Sequence, residues 1–290
     1  MRRVTDKELR VTTGANEQEL FTLIDLLADE DPTVRARLIP HLLKHGDDAI
    51  TALINSNRTG PHAIHIADAL THVRQANTFA ALAKYGQAGS DVPVEDGALL
   101  IAQLINPDLD PSPVRATLDD LASSAPALVH HNDPHTSLAA FAVYMRKTCE
   151  FSGNTLNYTD PANSLIDRVL DRRVGLPITL CVIYLAIASR LDLPLEGIGL
   201  PGHFVVRQPG IKDLGYLDPF NQSQPISESS CREIVERLGF TMGHGALVAS
   251  SPQETTARIT RNLVMAYRND SNKALEHVVL RAHDHLDPTR

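Results

Sequence analysis

The chain has 290 residues, 43% of them hydrophobic and 21% charged, with a formal net charge of −8. This is an ordinary globular composition, long enough for two modest domains, and its acidic balance argues against a broad nucleic-acid-binding surface, which needs clustered Lys and Arg. Three cysteines without a CxxC pair exclude a disulfide framework and point to free thiols in a reducing compartment.

The opening MRRVTDKELRVTTGANEQEL lacks the apolar stretch of a secretory signal. No run reaches the roughly 18 consecutive apolar residues of a membrane span. The expectation is a cytoplasmic protein with no membrane partner. From Glu17 to about Tyr85 the pattern is helical pairs. Leu20, Leu23, Ile24, Leu26 and Leu27 form one apolar stripe. Asp31 and Pro32 suit an N-cap and a first helical turn, Val34, Leu38, Leu42 and Leu43 continue at helical spacing, and Gly46 is read as the stop. A second pair is expected over Ala49–Ile54 and Pro61–Val73, with a partial third from Thr78. Such pairs need neighbours to bury their faces. Tyr85 to Pro93, with Gly, Ser and Pro, reads as a linker.

Helices are expected over Val94–Ile105, Ser112–Ser124 and Thr136–Cys149. His130 to His135, HHNDPH, has the spacing of a polar loop and not of two ligands on one helical face, so no metal is assigned to it. Ser164 followed by Asp167 reads as a capping box opening a Leu165–Leu170 helix. Arg172 and Arg173 read as a solvated helix end, and Phe151 and Tyr158 as core.

The stretch from Pro177 is the most informative. Pro177 suits a first-turn proline, and Ile178 to Leu191 is apolar on all sides, the mark of a buried helix. Its N-terminus presents free N–H groups and a positive dipole end. Asp192-Leu193-Pro194 ends it, because a residue before proline leaves the α region. Two strands follow, Glu196–Leu200 and His203–Arg207. Leu214–Leu217 then pairs back as a hairpin closed by Asp218-Pro219. His203 and Asp218 are spaced to meet across that hairpin, with the carboxylate fixing the imidazole tautomer.

Further on, a helix over Glu228–Leu238 ends at Gly239, Gly243-His244-Gly245 is a turn, and Pro252–Tyr267 with Lys273–Asp284 forms a final helical hairpin. Three segments result: a helical one at 1–90, a core at 91–250, and the hairpin at 251–290. The fold class is α+β, mostly helical, with a small antiparallel sheet.

The segments YTDPANSLIDRVLDRRVGLPITL, IYLAIASRL, LPGHFVVR and LDPF, in this order, resemble the bacterial SirB-like family of the transglutaminase-like superfamily. DGALLIAQLINPDLDPSPVRATLDDLA resembles that family's upstream segment. LLADEDPTVRARLIPHLLKHG resembles a HEAT-repeat helix pair, and the C-terminal hairpin resembles the start of a tetratricopeptide region. The superfamily resemblance implies a triad of nucleophile, histidine and aspartate. His203 and Asp218 match the last two. Counting back from Arg190 places the nucleophile near Thr179, and Cys181 lies two residues later, about 200° around a helix of 3.6 residues per turn. Thr179, Cys181, His203 and Asp218 are therefore the candidate or vestigial site. Because Thr179 stands where the superfamily has its nucleophilic cysteine, the expectation is a catalytically degenerate protein that acts as a protein-interaction or regulatory module, with no cofactor. The alternative is a thiol-dependent amidase, protease or acyl transferase built on Cys181, His203 and Asp218.

Overall fold

The structure, a computed structural model, describes residues 17–56, 60–221, 224–243 and 247–286. Most of the opening segment read above for a signal lies outside the described residues, as do His244 and Gly245 of the expected turn. The chain divides into two compact units, Met1–Ala81 and Leu82–Arg290.

The first unit is helical. It holds α1 (17–26), α2 (Pro32–Leu43), α3 (Gly46–Asn55) and most of α4 (Pro61–Gln87). Asp31 caps α2 by accepting from the Thr33 N–H at 2.8 Å, with Pro32 in the first turn. Leu23, Leu27, Leu42, Leu53 and Val73 share one apolar core. Ring nitrogens of His62 and His65, one turn apart on α4, lie 3.0 and 2.9 Å from the carbonyls of Ile24 and Leu27. Those carbonyls lie at the C-terminal end of α1, where the Ile24 carbonyl also accepts the Leu27 N–H at 3.2 Å. Two expectations are corrected here. Gly46 opens α3 rather than ending a helix. The expected breaks near Val73 and Thr78 are absent, because no Gly or Pro interrupts residues 62–85, and α4 runs on through the start of the expected linker.

The second unit is built on one buried helix. Around it stand α5 (Val94–Ile105), α6 (Pro111–Ser123), α7 (Pro134–Lys147) and α8 (Ile166–Arg172), and the central helix itself is α9 (Pro177–Arg190). Eleven of its residues, Pro177 through Tyr184 and Ala186 through Ala188, are buried. α9 ends in a Schellman arrangement: Asp192 is left-handed (φ 53°), the Asp192 N–H reaches the Ser189 carbonyl, and the Leu193 N–H reaches that of Ala188. Two short parallel strands, β1 (Ser152–Gly153) and β2 (Val174–Gly175), precede it. The main sheet is antiparallel in the order β3 (Glu196–Leu200), β4 (His203–Arg207), β5 (Tyr216–Leu217), β6 (Pro225–Ile226). β4 lies on α9. The expected return strand from Leu214 is shorter, because Leu214 is left-handed (φ 54°) and belongs to the turn.

α10 (Glu228–Arg237) follows the sheet, then α11 (Pro252–Asn269) and α12 (Lys273–Asp284). α11 opens with a capping box between Ser251 and Glu254. Both α11 and α12 pack on α5, within the same compact unit as the sheet. The fold is therefore α+β and mostly helical. Among the described residues no helix is long and apolar enough to cross a membrane.

Candidate functional site

The site is made where β4 begins and β5 ends. Pro201-Gly202 turns the chain into β4, and Gly202 is left-handed (φ 72°), with a ring carbon of Phe240 only 2.9 Å from where a Cβ would stand. Only glycine fits that turn without strain. The register pairing Val206 with Leu217 carries Asp218 back toward His203. His203 Nε2 and Asp218 Oδ2 are 2.8 Å apart, and the two side chains are 6% and 3% exposed.

Asp218 is held on both oxygens. Oδ1 accepts from the backbone N–H groups of Phe220 and Asn221, and Oδ2 also accepts from Asn221 Nδ2 at 2.8 Å. Burial alone would raise its pKa. The His203 hydrogen bond and charge, joined by the Asn221 donors, hold the carboxyl below the usual range. The carboxylate held in this way orients the His203 ring through Nε2.

The pair lines a cleft of about 630 Å³ whose walls include Tyr158, Pro177, Phe220, Ile234 and Leu238. The ring of Phe220 makes edge contacts with Tyr158 on one side and His203 on the other, at 5.9 and 6.1 Å between centroids. From α11, Arg258 Nη2 donates to the carbonyls of Leu200 and His203 at 2.6 and 2.8 Å, bracing the turn that presents the imidazole.

Thr179 and Cys181 are not in the cleft lining. Both are fully buried, and the first-turn residue of α9 that reaches the cleft is Pro177. The Cys181 thiol donates to the Phe204 carbonyl at 3.5 Å. Burial, then the charge of Asp218, push its pKa well above the ordinary thiol value, with Arg258 opposing weakly. Thr179 Oγ1 is buried without a hydrogen-bond partner. Among the described residues no thiol lines this cleft: Cys149 and Cys231 are also buried, and burial raises the first and pushes the second up to about 12. The structure thus joins His203 to Asp218 at the start of α9 and sets Thr179 and Cys181 aside in the core.

Several neighbouring readings are corrected. Ser164 is not a helix cap. It closes a 3₁₀ turn, Pro161–Ser164, with its hydroxyl buried, and Leu165 is the N-cap of α8. Tyr158 is a half-exposed cleft wall and not core. Arg172 is no free helix end, since it bonds Asp160 at 2.7 Å and Asn163 at 2.5 Å, while Arg173 lies over the Phe151 ring at 4.8 Å. In the HHNDPH loop, Asp133 caps α7 and His131 Nδ1 accepts the Asp133 N–H at 3.0 Å. Asn221 and Arg258 escaped the sequence reading. Asn221 had one available signal, an amide three residues after the strand-end Asp218.

Comparison with known proteins bears on the same region. A scan against protein families matches residues 112–261, just over half of the chain, to the transglutaminase-like superfamily. This chain belongs to that superfamily. A "UPF0162 protein" of Xylella fastidiosa (strain 9a5c) is 36% identical over 189 residues, covering 61% of this chain and 66% of that protein. A "UPF0162 protein" of Vibrio cholerae is 35% identical over 162 residues, covering 54% and 57%. "F-box only protein 21" of Homo sapiens is 27% identical over 171 residues, covering 48% of this chain and 27% of that protein. The chain thus spans just under two thirds of the Xylella relative and less of the others. No solved structure matches it.

Proposed function

We propose that this chain is a transglutaminase-like protein of the SirB-like branch whose centre has lost its thiol and serves as a binding module for another protein. The observation that carries the reading is at the start of α9. The superfamily resemblance places the nucleophile near Thr179, yet Thr179 and Cys181 are both fully buried and the first-turn residue in the cleft lining is Pro177. A proline has no nucleophilic atom to offer, and a buried, protonated thiol cannot attack. The retained pair then recognises rather than transforms, with the His203 ring in the lining of the cleft.

The rim supports a macromolecular ligand. Leu238 and Phe240 are 48% and 49% exposed beside Gly202, and Leu156, in the loop that carries Tyr158, is wholly exposed. We read the first unit as HEAT-like and α11–α12 as tetratricopeptide-like, elements suited to the same task. Three buried free thiols fit a cytoplasmic setting. The reading invokes no cofactor, metal, nucleic acid or membrane.

The competing reading, a thiol amidase or acyl transferase, draws on the intact His203–Asp218 pair but needs Cys181 to leave the core. Native protein treated with iodoacetamide from pH 6 to 9, with labelled cysteines mapped by mass spectrometry, separates the two. Cys181 is expected to stay unlabelled until denaturant is added. Rapid labelling in the native state, with an apparent pKa below the free-thiol value of about 8.5, overturns the proposal. A photo-crosslinking side chain at Leu238, with Met265 on α11 as the exposed control, tests the partner. One discrete protein adduct from Leu238 alone is expected, and equal adducts from both positions count against a cleft-bound partner.

A further inference from the structure

We propose that Asn163 is the positioning residue of this cleft: its buried amide fixes the loop 154–160 that holds Tyr158 in the wall beside Phe220 and His203. Asn163 is fully buried, yet all four hydrogen-bonding positions of its side chain are filled. Oδ1 accepts from Asn154 Nδ2 at 2.9 Å and from Arg172 Nη2 at 2.5 Å. Nδ2 donates to the carbonyls of Asn157 at 2.7 Å and Tyr158 at 3.3 Å. The orientation of the amide follows from chemistry. A guanidinium only donates, so the oxygen faces Arg172, and a carbonyl only accepts, so the nitrogen faces the loop.

The loop is also tied at its ends, where the Asn154 N–H donates to the Gly175 carbonyl at 3.1 Å and the Asp160 N–H to the Asn157 carbonyl at 3.4 Å. Asn157 N–H donates to Asn154 Oδ1 at 3.0 Å, and Arg172 ties Asp160 at 2.7 Å, both within the same network. Leu156 at its tip touches nothing, being 100% exposed. Between those ends, the carbonyls of Asn157 and Tyr158 are held by two donors from one buried amide. Tyr158 in turn meets the Phe220 ring, which packs edge-on against His203. The backbone of Asn163 reaches the other wall: its carbonyl accepts the N–H of Leu176, the N-cap residue of α9, at 3.0 Å. Gly175 lets that approach occur, since a Cβ there would stand 2.8 Å from Val169 and 3.3 Å from the Asn163 oxygen. One residue thus sets the loop wall through its side chain and the helix wall through its backbone.

The inference rests on the reading of this cleft as the working site, but its test reports geometry and not binding, so the two fail separately. The chain has six tyrosines. Protein grown with 3-fluorotyrosine gives ¹⁹F lines for them, and Tyr158→Phe assigns the line of Tyr158. The other five, Tyr85, Tyr144, Tyr184, Tyr216 and Tyr267, are buried and act as internal controls. Asn163→Asp keeps the acceptor for Asn154 and Arg172 but replaces the two donors with an oxygen that repels both carbonyls. The expected result is a Tyr158 line moved toward the free fluorotyrosine position while the other five stay in place. An unmoved Tyr158 line, or six lines moving together, overturns the proposal. If Asn163→Asp does not fold, Asn154→Ala decides, because it removes one support of the amide and the Asn157 contact from the loop side. A shifted Tyr158 line supports the assignment, and an unshifted one overturns it.

Discussion

The imidazole of His203 and the carboxylate of Asp218 meet at 2.8 Å with almost no solvent on either side chain. Removing one member of a buried charged pair strands the other and costs about 3–5 kcal/mol. Asp218→Ala is expected to fall in that range by urea denaturation. Asp218→Asn, which keeps the shape, is expected to cost about 1–3 kcal/mol. The pH dependence has a definite sign. The folded carboxyl titrates below its unfolded value, so its contribution is complete above about pH 3.9 and is lost as pH falls through the lower folded value. The stability difference between the native protein and Asp218→Asn should shrink on acidification through that window. A difference that stays constant from neutral to acid pH would sink the assignment of an ionised Asp218.

A second prediction concerns the far end of α9. Arg190 donates to both oxygens of Glu95 on α5, at 2.6 and 2.9 Å, and to Asp119 on α6 at 2.5 Å. Arg115 adds a bond to Glu95 at 3.2 Å. Glu95 is 5% exposed, whereas the Asp119 side chain is 66% exposed. Solvent screens the Asp119 pair and not the Glu95 pair. Glu95→Ala is therefore expected to cost about 3 kcal/mol, and Asp119→Ala less than about 1 kcal/mol, by urea denaturation of each. Equal losses would show that burial does not distinguish the two carboxylates.

The parts legible in the sequence were those written as local pattern. The continuous apolar run of α9, and the Asp and Pro signals before α2, encode their elements within a few residues. α5 and α12 have the bounds their periodicity implies. The His203–Asp218 spacing was legible because a tight hairpin leaves few alternatives. What was not legible depends on entry geometry and on contacts distant in sequence. Counting along α9 from its end singles out Thr179. The first-turn residue in the cleft lining is instead Pro177, and the Leu176 N–H beside it bonds the Asn163 carbonyl, a contact across 13 residues that no periodicity reports. Tyr158 reads as core because it is aromatic, yet the Asn163 network turns it outward. Arg258 lies 55 residues from the carbonyl it braces.

That brace supplies the last prediction. A single nitrogen of Arg258, Nη2, donates to the Leu200 and His203 carbonyls, the two ends of the turn at Pro201-Gly202. The guanidinium also lies 5.6 Å from the Phe204 ring. Arg258→Met keeps the aliphatic stem on Phe204 but leaves two carbonyls without their donor, at about 1–3 kcal/mol for a buried unsatisfied group. Arg258→Lys keeps one cationic nitrogen, and among the described residues both hydrogen bonds come from one nitrogen. The common objection to exchanging Arg and Lys, loss of the planar fork, does not apply where the fork is not engaged. Lysine is therefore expected to recover most of what methionine loses, measured as the urea midpoint and as the ¹⁵N shifts of the His203 ring. Equal losses in the two variants would place Arg258's contribution in its packing against Phe204 and remove it from the support of His203.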